Sequence, residues 1–216
     1  MKKLFHRFIC LLLTVCIIPV YQSAVAADNQ QYLENAILVE NGIPRPITKA
    51  EYELLLEGIE VDIPTSPIES RGISFEKFVP EVTTRYLNGS LKTAVTPLIN
   101  GENGGSKIYY GESITFTASF SLSLSSDIKK MVAVTVGGAL SAASNSSFQA
   151  VFEVPPHELG RVVFTPFYYK SSGTLQHWYQ GEHELDPSLS DEEFLTADLP
   201  IQVGKFADGL YELETI

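Results

Sequence analysis

The densest group of chemically able side chains in this 216-residue sequence is the run His177-Trp178-Tyr179-Gln180-Gly181-Glu182-His183-Glu184-Leu185-Asp186. Imidazole and carboxylate together suit zinc, which makes His177, Glu182 and His183 the candidate metal ligands. Gly181 marks a turn between the two histidines, however, and a zinc site needs further ligands converging from elsewhere. Outside the first 27 residues His157 is the one remaining histidine. A solvated acidic hairpin loop accounts for the same residues more simply, so no cofactor is expected.

Nucleophilic chemistry finds less support. No serine sits in a G-x-S-x-G elbow, and both cysteines, Cys10 and Cys16, fall in the leading segment. Asp191-Glu192-Glu193 offers carboxylates, but their use as an acid/base pair depends on separation in space. Following Ser190, with Glu193 at capping-box spacing, they read as the first turn of a short helix over 191–195, where negative charge is favoured. The aromatic residues carry a different chemistry. Tyr109-Tyr110, Phe167-Tyr168-Tyr169 and Trp178-Tyr179 are neighbours that an extended strand sends to opposite faces. One ring of each set packs inward and the other is free to present an apolar face with a polar tip to a sugar or a partner surface. Tyr168, Trp178 and Tyr179 are the candidate ligand-binding residues on this ground.

The elements that must position these residues are mostly strands. Ser113–Leu124 alternates strictly, with Ile114, Phe116, Ala118, Phe120, Leu122 and Leu124 on one face and Ser or Thr on the other, the pattern of a half-buried strand. Ser147–Val154 repeats it more briefly. Met131–Val136, Gly160–Tyr169, Thr174–Gln180, Leu199–Val203 and Gly209–Leu213 are also β-like, with Pro166 predicting an edge or a bulge in the second of these. Asn88-Gly89, Asn100-Gly101, Asn103-Gly104-Gly105, Gly137-Gly138, Pro155-Pro156, Ser171-Ser172-Gly173 and Asp208-Gly209 supply the turn chemistry between them. Strands at this spacing predict a mainly β fold, an antiparallel β-sandwich over residues 73–216.

Residues 28–72 read differently. Thr48-Lys49-Ala50-Glu51 has capping-box spacing, and Tyr52, Leu55, Leu56 and Ile59 follow it at helical period. A short N-terminal helix over about 49–58, closed by Gly58, is expected, followed by a Pro-rich linker. Residues 1–27 have the three parts of a secretory signal in order. Lys2, Lys3 and Arg7 lead an apolar stretch from Phe8 to Val20, and Ala24-Val25-Ala26 forms a small-x-small cleavage site. The expectation is a protein secreted to the extracellular space, with no transmembrane segment once the signal is removed. Without residues 1–27 the chain keeps 12 Lys and Arg against 26 Asp and Glu, a formal charge of −14. Nucleic acid, which demands a basic surface, is excluded as a partner, and a cell-surface glycan or protein is the expected class.

Two resemblances bear on this reading. YYGESITFTASFSLSLSS, FEVPPHELGRVVFTPFYY and the closing ADGLYEL resemble small exported proteins of Gram-positive bacteria that have no assigned function; the likeness implies export and a β domain, and no site residues. Ser113–Leu124 and Asn145–Val154 are each about the length of a membrane-crossing strand. With one apolar and one Ser/Thr face they look like the insertion strands of aerolysin-type pore-forming toxins. The sequence thus reads as a secreted, non-catalytic binding protein, with a β-pore-forming or membrane-active protein as one alternative and a secreted hydrolase as another.

Overall fold

A computed structural model describes residues 31–64, 74–102, 105–108, 113–144, 151–180, 187–204 and 206–216. The expected signal segment, Tyr109-Tyr110, Glu182 and His183 lie outside them. The chain first forms a hairpin, β1 (Tyr32–Glu40) and β2 (Ile43–Thr48). Its turn is Asn41-Gly42, both at positive φ (52° and 72°), as the tight two-residue hairpin requires. Helix α1 (Lys49–Glu57) follows directly. The Glu51 N–H donates to Thr48 Oγ1 at 3.2 Å, so the predicted cap is the real one. Then come β3 (Ile59–Glu60) and the long β4 (Ser74–Leu87), followed by the short β5 (Thr93–Ala94), β6 (Ile99–Asn100), β7 (Ser106–Ile108), β8 (Thr115–Thr117) and β9 (Ser119–Phe120). Helix α2 (Ser126–Val136) separates these from β10 (Ser141–Ala143) and β11 (Phe152–Val154). The last stretch holds β12 (Leu159–Tyr179), β13 (Ser188–Pro200), β14 (Gln202–Val203), β15 (Phe206–Ala207) and β16 (Gly209–Thr215).

The molecule is mainly β, and its large sheet is antiparallel and curled around one strand. β12, 21 residues long, is flanked along its first half by β16 on one side and by β5 and β6 on the other. Its second half is flanked by β13 and β4. The partners change at Pro166, which faces Gly209 of β16 just before Tyr168 takes up Pro200 of β13. Pro166 thus sits inside the longest strand rather than at an edge: its missing N–H falls where one partner ends and the next begins, so no ladder bond is lost. β1 and β2 extend the sheet beyond β16, so residues 32–48, expected to lead only into a helix, add two strands. Two small sheets, β14-β15-β10-β8 and β11-β7, accompany the large one.

Four readings are corrected by this arrangement. Met131–Val136 is helical, not extended. Its β-branched side chains favour a strand, but Ser125 Oγ accepts the Ile128 N–H at 3.3 Å and Gly137, in the left-handed conformation, donates back to the Ala133 and Val134 carbonyls. Between these caps, Val132, Ala133 and Val136 are buried against Phe78, Leu175, Leu195 and Leu199; packing at helical period outweighs local propensity. Residues 191–195 lie in β13, not in a helical turn, because pairing with β12 satisfies their backbone. Ser171-Ser172-Gly173 is no turn but the middle of β12, opposite a bulge in β4. Gly173 is required there, since a Cβ would fall on the Val79 carbonyl oxygen. Finally, Ser113–Leu124 keeps its alternating burial but is divided between β8 and β9, which belong to different sheets.

The core follows from β12. In its first half both faces are covered, and Val162 to Tyr168 are all buried. Phe164 meets Phe116 and Tyr211, with centroids 5.6 and 4.5 Å away. On the other face Phe167 packs with Leu38, Ile47, Leu55, Leu87 and Leu210. Past Lys170 a single covered face remains, beneath α2.

Candidate functional site

The second half of β12 and its two partners form a three-stranded arm whose uncovered face is the leading candidate for a binding surface. Directly opposed residues of antiparallel strands share a face, as do alternate residues along each strand. The register therefore stacks four rungs on this side: Val82-Ser172-Thr196, Val79-Thr174-Phe194, Lys77-Gln176-Glu192 and Phe75-Trp178-Leu189. Phe194 is 63 % exposed and Leu189 43 %, although large apolar side chains belong inside where a core is available. Phe75 and Trp178 lie with their planes 2° apart and centroids 6.2 Å apart. The Trp178 indole N–H donates to Gln176 Oε1 at 3.2 Å, and the Thr174 hydroxyl donates to Glu81 at 3.1 Å. Two apolar platforms thus stand four residues apart along β12, about 13 Å at ~3.3 Å per residue, with a polar rung between them.

The arm's outer edges bear on what can bind. Among the described residues, no strand pairs with the outer side of residues 74–82 or 188–195. Exposed edges invite strand addition unless they are blunted. Pro80 and the adjoining bulge interrupt one, and Asp191, Glu192 and Glu193 charge the other. The flat face is the surface left for recognition.

Tyr168, Trp178 and Tyr179 do not assemble as one platform. Trp178 is on the open face. Tyr168 is a core residue, 1 % exposed, with its hydroxyl donating to the Thr117 carbonyl at 3.1 Å; burial and the nearby Asp198 charge push its phenol up to about 12. Tyr179 is half exposed, on the opposite face from Trp178 by parity. His177 shares that opposite face, its Nδ1 4.0 Å from Glu76 Oε1, and no group of three His, Cys, Asp or Glu gathers among the described residues. Phe75 and Phe194 were missed by sequence reasoning. Phe194 hides in an acidic run that reads as a helix start, and Phe75 reaches Trp178 only through a pairing that spans about 100 residues of chain. Leu189 and Phe194 are separated by Ser190 and three acidic residues, so no alternation in the sequence marks them as one strand face.

The strongest ionic cluster lies elsewhere, at the β1–β2 turn. Arg45 bonds both Glu40, at 3.1 Å, and Glu51, and Arg85 bonds Glu40 at 2.6 Å while lying 4.2 Å above the Phe167 ring. Burial alone would raise the Glu40 carboxyl, but the two guanidinium groups bring it below its ordinary value. Asp208, buried beside them, accepts the Asn41 and Gly42 N–H groups at 2.7 and 3.1 Å, and burial still holds its carboxyl above the usual range. Every group here is matched to a partner within the fold, so the cluster fastens the hairpin to the end of the sheet rather than presenting reactive atoms. A concavity of about 390 Å³ opens where β1 changes register between Tyr32 and Ile37, beside Glu34, Asn35, Lys49 and Glu212. Glu212 there is engaged by Lys92 at 3.0 Å. No known protein family, curated protein or solved structure matches this chain.

Proposed function

We propose that this protein is a non-catalytic binding protein of the cell exterior, and that the open face of the β4-β12-β13 arm is its ligand surface. The observation that carries this reading is the row of solvent-facing apolar rungs, Phe75-Trp178-Leu189 and Phe194, on a sheet whose edges are blunted. A flat face with ring-sized apolar platforms and hydrogen-bonding side chains between them suits an extended saccharide, whose rings have apolar faces and polar rims. The formal charge of −14 without residues 1–27 disfavours polyanions, so the fitting ligand is an uncharged or weakly charged cell-wall glycan. The basic, apolar and small-residue order of residues 1–27 supports delivery to that location. The curled sheet, closed on its other face by α2, serves as a sandwich-like scaffold for the face.

Trp178 is the single tryptophan, so the surface carries its own reporter. Titration with soluble peptidoglycan fragments is expected to shift Trp178 emission, and intact sacculi stripped of anionic polymers should co-sediment the protein. Phe194→Ala and Trp178→Ala should each weaken co-sedimentation about tenfold, the scale of one lost stacking contact of ~1.4 kcal/mol. Unchanged emission together with no co-sedimentation refutes the reading, as does full binding by the double variant.

A further inference from the structure

Residues 113–144 contain a second, unused β-structure. β8 and β10 already pair antiparallel, with Thr115 opposite Ala143, Phe116 opposite Ala142 and Thr117 opposite Ser141. The ladder continues at both ends through the Ala118 N–H to the Leu140 carbonyl, 2.9 Å, and the Ser144 N–H to the Ile114 carbonyl, 2.8 Å. Beyond Ala118 it stops: Ser119–Phe120 pairs with β13 instead, the Ala139 N–H donates to the Pro200 carbonyl, and residues 126–136 are wound into α2. Carrying the same register onward places Phe120 opposite Gly138, Leu122 opposite Val136 and Leu124 opposite Val134. The alternate residues meet as Ser119 with Ala139, Ser121 with Gly137 and Ser123 with Thr135. One face of the extended hairpin is then apolar from the Phe116–Ala142 pair to the Leu124–Val134 pair, with Ser144 opposite Ile114 at its open end, and the other is built from small, mostly polar residues. The register is kept: the existing ladder lengthens as the helix unwinds and as Ser119–Ser121 and Ala139 exchange their bonds to β13 for bonds to each other's strand.

Four further features agree with this. Residues 113–144 hold three charges, Asp127, Lys129 and Lys130, and no proline, and all three charges fall in the connection between the lengthened strands. Each strand, 114–124 and 134–144, has eleven residues, and a tilted membrane-crossing strand needs about 9–11. Val134 is 80 % exposed on α2, a poor position for an apolar β-branched side chain in water, yet it falls on the apolar face of the hairpin. α2 is also conditional. A helix of 11 residues does not persist alone in water, so it lasts only while Val132, Ala133 and Val136 stay seated on Phe78, Leu175 and Leu195.

We propose that residues 113–144 are a membrane-inserting segment: at a lipid bilayer α2 unwinds and the β8–β10 ladder extends into a transmembrane β-hairpin. Hydrocarbon satisfies no backbone groups, so the outer edges of one hairpin must pair with those of other copies until a barrel closes. The occupants of the segment's apolar face are therefore lipid chains, and those of its edges are further copies of this chain. In water the stripe of α2 on the sheet is the better burial, and the bilayer reverses that preference by receiving the whole apolar row. The reading is independent of the glycan surface, which lies on the arm's other face.

The chain from residue 28 keeps the whole compact unit and has no cysteine, so single cysteines carrying an environment-sensitive fluorophore report one position each. Labels at Leu124→Cys and Val134→Cys should brighten on phosphatidylcholine vesicles and be quenched from within the lipid. Labels at Ser123→Cys and Thr135→Cys should not, and vesicle contents should leak. Val134→Lys, at a solvent-facing position of the helix, should fold normally and leak about tenfold less, since it puts a charge on the lipid face. Labels at 134 and 135 changing together, as in a helix lying on the surface, overturn the proposal. So do vesicles that neither leak nor alter any label, and so does undiminished leakage by Val134→Lys.

Discussion

The two halves of β12 are one continuous strand with opposite fates. From Val162 to Tyr168 every residue is buried, whereas from Ser172 to Tyr179 burial alternates and then ends. Composition does not explain this: Leu175 and Trp178 are as apolar as Val162 and Phe164. The first half has elements above and below it, gathered from chain positions as distant as Leu38, Phe116 and Leu210. The second half has α2 on one face only. Stability is concentrated where both faces are covered, and a surface able to meet a ligand is left where one is not. An open apolar face on a rigid sheet costs little if the strand beneath it is anchored elsewhere.

Substitutions along β12 and its partners break or sharpen this contrast. Phe164→Ala, in the doubly covered half, should destabilise the protein by about 3–5 kcal/mol, read as a lower urea midpoint. A loss under about 1 kcal/mol would mean the first half is not the anchor. Gly173→Ala, at the transition, forces a methyl toward the Val79 carbonyl and should cost about 1–3 kcal/mol, with the β4 bulge shifting to make room; amide exchange across Val79–Val82 is the local readout. Phe194→Ala, on the open face, should change stability by less than about 0.5 kcal/mol while weakening glycan co-sedimentation. A large stability loss there would reassign the face from recognition to folding.

Much of the local order was legible because it depends on neighbours in the chain. The Thr48 cap and α1 follow from four consecutive residues, and the alternation of Ser113–Leu124 sets which side chains turn inward, as observed. The Asn41-Gly42 hairpin was equally legible by turn chemistry but was obscured by the prolines around it. The candidate surface was legible only in part. Trp178 stood out by type, but Tyr168 has the same local character and is core, because only the pairing partners determine which half of β12 is covered.

The sequence by itself determined the inward face of Ser113–Leu124, the Thr48 cap of α1 and its close at Gly58, since these rest on backbone sterics and on periodicity within a few residues. Tertiary structure decided that MVAVTV is helix, that Ser190–Leu195 is strand, that Phe75 stands beside Trp178, and that Phe194 lies two rungs away on the same face. Each of those depends on contacts between residues far apart in sequence, where burial and ladder hydrogen bonds outweigh the fraction of a kcal/mol that local propensity supplies per residue, about 0.7 at most. Residues 113–144 lie at that boundary. Their alternation is written for a strand, and the sheet beneath α2 holds part of them as a helix.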